Sequence, residues 1–149
     1  RTADCGAGLG ESGMIYGTER GLFIVLTMLP NRNLSEVMGF CEEKGLEFHN
    51  SYLVELRDAG QVQGSCLYDL QGDTMLIRWL WVPGDFNWLL TDGLARAAMN
   101  CAELQGARTA EFSPQVDEHV VQGLVEHKNY AKSQIPIQKF LSECQSSAH

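Results

Sequence analysis

The sequence predicts an α/β fold of the α+β, mixed-sheet kind, with helices on both faces of the sheet. Three observations carry this. Short apolar runs of strand length alternate along the chain with segments whose apolar residues recur at helical spacing. The stretch SYLVELRDAGQVQGSCLYDLQGDTMLIRWLWV contains two turn signals, DAGQ and QGD, and so reads as three strands of an antiparallel meander. The last of these strands is apolar on both sides: Met75, Ile77, Trp79 and Trp81 alternate with Leu76, Leu80 and Val82, and only Arg78 interrupts. Such a strand belongs in the middle of a covered sheet.

The elements follow in order. Residues 1–13 are rich in glycine and small side chains and read as a flexible tail, leaving 14–149 as a single domain. Gly8, Gly10 and Gly13 spell GxGxxG, but no strand precedes them and no helix follows, so a dinucleotide loop is not indicated. Leu22 to Leu29 is an unbroken apolar run between Gly21 and Pro30, a buried strand too short to span a bilayer. It lacks the small-residue cleavage site of a leader peptide. Asn33 and Glu36 form an N-cap and N3 pair for a helix with Leu34, Val37, Met38 and Cys41 on its apolar face, closed by Gly45. After the meander, a long helix buries Leu90, Leu94, Ala97, Ala98, Cys101 and Leu104, exposes Asp92, Arg96, Asn100 and Glu103, and ends at Gly106. RTAEF is a short strand. Ser113 and Pro114 stand as N-cap and N1 of a helix whose apolar face is Val116, Val120, Val121, Leu124 and Val125. IPIQKFLSEC gives a last short helix with Phe140, Leu141 and Cys144 inward.

Composition narrows the partners. The chain has 149 residues, 44% of them apolar, and a net charge of −8. So acidic a surface disfavours nucleic acid and anionic membranes, and favours neutral or cationic partners. Five widely spaced cysteines with no CxxC fit reduced thiols in a cytoplasmic protein. His119 and His127 are eight apart and His49 and His149 stand alone, so no metal site is expected. There is no GxSxG elbow and no cysteine–histidine spacing that signals a nucleophile.

The stretch WVPGDFNWLLTDGLARAAM reads as strand end, loop and helix start, where unpaired amides and the helix dipole attract anions. Asn87 is placed as the N-cap. From Pro83 to Ala95 the segment holds Asp85 and Asp92 and no cation, and bulky Trp88, Leu89 and Leu90 occupy the turn.

From Tyr52 to Tyr130 the order and lengths of these elements resemble the GNAT superfamily of N-acyltransferases. In that family a central strand ends in V-x-P-x-x-R/Q-x-x-G-x-G/A, and a later helix carries L-Y-E-K-x-G-F. Here Pro83 falls on the family proline, Phe86 where Arg or Gln stands, Leu89 on the first glycine and Thr91 on the second small residue. In LVEHKNY, Leu124 and Glu126 match, Val125 takes the tyrosine's place, Asn129 the glycine's, and Tyr130 the final aromatic's. The resemblance implies a mostly antiparallel sheet with one parallel, splayed strand pair. It implies an acetyltransferase or other acyltransferase using acetyl-coenzyme A or another acyl-coenzyme A, with a small-molecule or peptide amine as acceptor. The cofactor would lie along Trp81, Val82, Phe86, Asn87, Trp88, Leu89, Leu90 and Thr91. Glu111, on the strand beside the splay, would be the base, and Tyr130 the acid, displaced from the usual place. Arg78 would hold a substrate carboxylate. Each has a plainer reading: Glu111 solvated or paired with Arg78, Tyr130 a packing aromatic, Arg78 paired with Glu55 or Glu111 or reaching solvent. The alternative function is a GNAT-like domain without catalysis, binding another ligand or forming an interface through Phe86 and Trp88, of which a homodimer is one form.

Overall fold

The computed structural model describes residues 13–17, 23–84, 88–125, 130–131 and 133–143, with side chains from Leu26 onward. Seven strands form one sheet in chain order: β1 Gly13–Gly17, β2 Phe23–Asn31, β3 Tyr52–Asp58, β4 Gln61–Gln71, β5 Thr74–Trp81, β6 Thr109–Phe112 and β7 Ile135–Pro136. Neighbours pair antiparallel except β5 and β6, which are parallel. The helices are α1 Leu34–Lys44, α2 Trp88–Leu104, α3 Glu118–Leu124 and α4 Ile137–Ser142. The expected mixed sheet, its meander and its parallel pair are all present. β1 is an addition: Gly13, the last residue of the expected tail, pairs with Thr27. β2 also runs through Pro30; β1 covers β2 only as far as Thr27, so the proline sits where one edge is open and a missing N–H is tolerated.

Local chemistry explains the boundaries. Asn33 accepts a 3.1 Å hydrogen bond from the Glu36 amide, capping α1. At the other end Gly45 takes φ 70°, and the Leu46 amide reaches back 2.8 Å to the Cys41 carbonyl. The β3–β4 turn needs positive φ at both central residues, met by Ala59 and Gly60.

Strand alternation sorts the core into two clusters. Val37, Cys41, Leu53 and Leu67 pack beneath α1 on one face. On the other, Val54, Leu56, Cys66 and Tyr68 meet α2, and residues of α3 and α4 join the same, larger cluster.

Three expectations are corrected. The alternation of β5 breaks at Arg78, because Leu67 pairs with Trp79 and Tyr68 with Ile77, leaving Arg78 as the extra residue of a bulge. After it the faces exchange, so Ile77 and Leu80 share the larger core while Trp79 packs beside α1. On α2 the expected wet face is partly dry: Asp92 and Arg96 are buried, and Leu104, expected inside, is 80% exposed. Finally, Ser113 does not start α3. Its hydroxyl accepts from the Gln115 amide in a turn, and Asp117 caps the helix through the His119 amide.

Candidate functional site

The parallel seam is the first feature of interest. Register between β5 and β6 runs from Thr74–Thr109 to Ile77–Phe112 and then stops, although β5 continues to Trp81 against β4. One last bond, from the Ser113 amide to the Ile77 carbonyl at 2.8 Å, closes the pair. Beyond it, Arg78–Trp81 have no strand partner on the β6 side among the described residues, and the bulge falls at that divergence. β5 therefore runs on past the end of β6, leaving an opening, or splay, on that side.

The residues proposed for a cofactor surround this end of the sheet unevenly. Trp81 is exposed, Val82 and Leu90 are half-buried against the larger core, and Thr91 is buried at the start of α2. Trp88 and Leu89 are exposed in part, and the six-membered ring of Trp88 lies directly on Gly123 of α3, where even a methyl group would overlap it. The indole thus bridges α2 and α3. Phe86 and Asn87, with its expected cap, lie outside the described residues, as do Glu126, Asn129, His127 and Cys144.

The expected base and acid are not brought together. Glu111 alternates with buried Ala110 and Phe112, so it stands half-buried on the α1 face, beside Leu76. Tyr130 belongs to the opposite side, its ring 5.7 Å from that of Phe140. Burial, and secondarily the nearby Glu143 carboxylate, push its phenol above the ordinary value, with Arg96 partly offsetting this. No hydrogen bond of normal geometry reaches the Tyr130 hydroxyl among the described residues. The same region holds the Asp92–Arg96 pair at 2.8 Å, with Arg96 also donating to the carbonyls of Phe140 and Glu143. This ties α2 to the C-terminal helix and explains why both charges are buried.

Arg78 has neither expected partner. Glu55 pairs with Arg57 at 2.7 Å, and Arg78 reaches the Asp69 carboxylate at 3.4 Å and the Glu47 carbonyl at 2.7 Å. Its side chain is almost wholly buried, so it is a structural cation on the α1 face.

That salt bridge belongs to a polar cluster that sequence reasoning missed. Ser51 donates to one Asp69 oxygen at 2.5 Å, and His49 Nδ1 lies 3.0 Å from the other. The His49 amide bonds Ser51 Oγ, and His49 Nε2 is 3.7 Å from the Glu47 carboxylate. Asp69 is thus fully engaged, and it fixes an imidazole whose other nitrogen faces outward. Ser51 bonds the aspartate rather than the histidine, so this is not a nucleophilic triad. Asp69 pairs with Leu76 from one side and Glu111 from the other, placing the two carboxylate-bearing positions on one face, two strands or about 10 Å apart. His49 is isolated in sequence; only the sheet register brings it to Asp69.

Burial raises the Cys66 thiol well above the ordinary value and the Cys41 thiol above it, with Arg78 partly offsetting the latter, which disfavours the reactive thiolate at both. Among the described residues no group of three or more His, Cys, Asp or Glu could hold a metal, and no helix is long and apolar enough to cross a membrane. Comparison of the chain with protein-family models, curated proteins and solved structures finds no match.

Proposed function

We propose that the chain is a GNAT-type N-acyltransferase, moving an acetyl or other acyl group from acyl-coenzyme A to an amine of a small molecule or peptide. The observation that carries this reading is the divergence of β5 from β6 just past Ile77–Phe112, beside the Arg78 bulge and ahead of the α2 N-terminus. Acyl-coenzyme A would supply an activated acyl carbon. Backbone amides of Arg78–Trp81, freed from a second strand, suit the developing oxygen charge. A base must take the amine's proton, and two side chains on the α1 face are suited to it: Glu111, and His49 oriented by Asp69. Tyr130 packs on the opposite side of the sheet from both bases, so the departing thiolate would take its proton from water.

One contact favours the second reading, a domain of this fold that does not catalyse. The Trp88 ring lies on Gly123 and so occupies the space between α2 and α3, where a pantetheine-like arm would have to pass. Binding there requires the indole to move. Titration of acetyl-coenzyme A against the melting temperature of the wild type and of Trp88→Ala separates the readings. Ligand at a hundred times its Kd stabilises the native state by about 2.7 kcal/mol. A shift in both proteins, with transfer to an amine lost in Glu111→Gln or His49→Gln, supports the enzyme. A shift in Trp88→Ala alone supports the second reading. No shift in either at millimolar ligand refutes acyl-coenzyme A binding.

A further inference from the structure

At the end of the sheet opposite the splay is a cavity of about 560 Å³ that the acyl-transfer reading does not use. It lies where β2 ends, β3 begins, α1 starts and α2 finishes. Its size is that of a small-molecule site rather than a packing flaw.

Its chemistry is one-sided. None of the residues lining it is acidic, in a protein whose net charge is −8. Its one cation, Arg32, is exposed and makes no hydrogen bond or ion pair among the described residues. Two amide side chains offer further donors. Asn100 has no partner among the described residues, and Gln105 accepts from the Tyr68 hydroxyl at 2.6 Å, which leaves its NH₂ group available. Apart from Asn31 and Ser51, the rest of the lining is apolar or aromatic. Tyr52 and Tyr68 stack at 5.3 Å, and Tyr52 is partly exposed, as is Leu104 on the rim.

The nearest carboxylates are already engaged. Asn31 turns its amide to Glu36 and Glu55, and Asp69 behind Ser51 is satisfied by Arg78 and His49. The helix ends act in opposite senses. α1 presents its positive end to the cavity, and the last carbonyls of α2 are taken up by the amides of Gln105, Gly106 and Ala107. A negative charge is therefore met by Arg32 and by amide donors, with no carboxylate among the lining residues; Glu36, hydrogen-bonded to Asn31, keeps its charge just outside.

We propose that this cavity binds a small amphipathic carboxylate, its anionic head on Arg32 with Asn100 and Gln105, and an aryl-alkyl or medium-chain body over Tyr52 and Leu104. A charge-assisted bond to a guanidinium gives the head its specificity, and the apolar wall gives the body its affinity.

The test uses 4-phenylbutyrate and octanoate as probes, with 4-phenylbutyramide and 4-phenylbutylamine as controls of matched shape. Binding is followed by calorimetry and by amide NMR shifts on the full chain. The expected result is that at least one carboxylate binds, with shifts centred on Arg32, Tyr52 and Asn100. The neutral amide should bind at least tenfold more weakly and the amine weaker still. Arg32→Gln, an exposed substitution that leaves the fold intact, should cost the carboxylate tenfold and leave the amide unchanged; Arg32→Lys should restore part of the loss. The proposal is overturned if neither carboxylate binds at millimolar concentration. It is equally overturned if acid, amide and amine bind alike, if Arg32→Gln has no effect, or if the shifts map to the splay.

Discussion

The Trp88–Gly123 contact makes a quantitative prediction about stability. Trp88 retains 38% exposure, so somewhat more than half of its surface is covered. For a side chain this large that is about 150 Å², or a ceiling of about 4 kcal/mol at 25 cal/mol per Å². A methyl at Gly123 evicts the ring, but the displaced indole keeps part of its contacts elsewhere, so about 2 kcal/mol is lost. In the opposite direction, alanine is better than glycine inside a helix by up to about 1 kcal/mol. Gly123→Ala should therefore destabilise the wild type by about 1 kcal/mol. In a Trp88→Ala background, with no ring to evict, the same substitution should stabilise by up to about 1 kcal/mol. The coupling in a double-mutant cycle is then about 2 kcal/mol. Urea unfolding of the four proteins, followed by circular dichroism because Trp88 is itself a fluorophore, measures it. If Gly123→Ala shifts both backgrounds by the same amount and in the same direction, the ring does not rest on Gly123.

Three further outcomes are expected. Arg78→Ala leaves Asp69 buried without its cation and should cost about 3–5 kcal/mol; the double change with Asp69→Ala should cost clearly less than the sum, by the same denaturation cycle. Asn33→Ala should remove about 1 kcal/mol by freeing the Glu36 amide, and Asn33→Gly only a few tenths, read from urea midpoints. The buried thiols set an alkaline limit. Their folded pKa values lie above the unfolded value near 9.0, so their contribution is fully present below that pH and is lost progressively as pH rises from there toward the folded values. The urea midpoint should fall between pH 8 and 10, the fall should lessen in Cys66→Ala, and Cys66 should react with iodoacetamide only on unfolding.

Local signals carried most of the architecture. The Asn33–Glu36 cap, Gly45, the DAGQ and QGD turns and the glycine after α2 are each satisfied within a few residues of chain, so they are legible without tertiary knowledge. The errors share a cause. Asp92 and Arg96 are charged and spaced i, i+4, the pattern of a solvated face; they are buried because the carbonyls of Phe140 and Glu143 return from the far end of the chain. Arg78 marked an anomaly in β5, but periodicity alone cannot say that the strand gains a residue there. Ser113-Pro114 reads as a helix start, but the Ser113 hydroxyl is held in a turn by the Gln115 amide and the cap falls to Asp117. His49 gained a partner only when β4 presented Asp69 to it. The cavity around Arg32 is assembled from five elements, none of which signals it alone.

The order of strands in space equals their order in the chain, and this bears on how the molecule assembles. β3, β4 and β5 can close as successive hairpins, with little loop entropy lost at each step. Joining β6 instead requires the whole of α2 to be in place, and the shared register is only Thr74–Ile77. The seam that opens into the splay is thus the late, thinly held joint of the sheet. Subglobal opening should begin there, exposing β6 and the elements after it to hydrogen exchange while the meander stays protected.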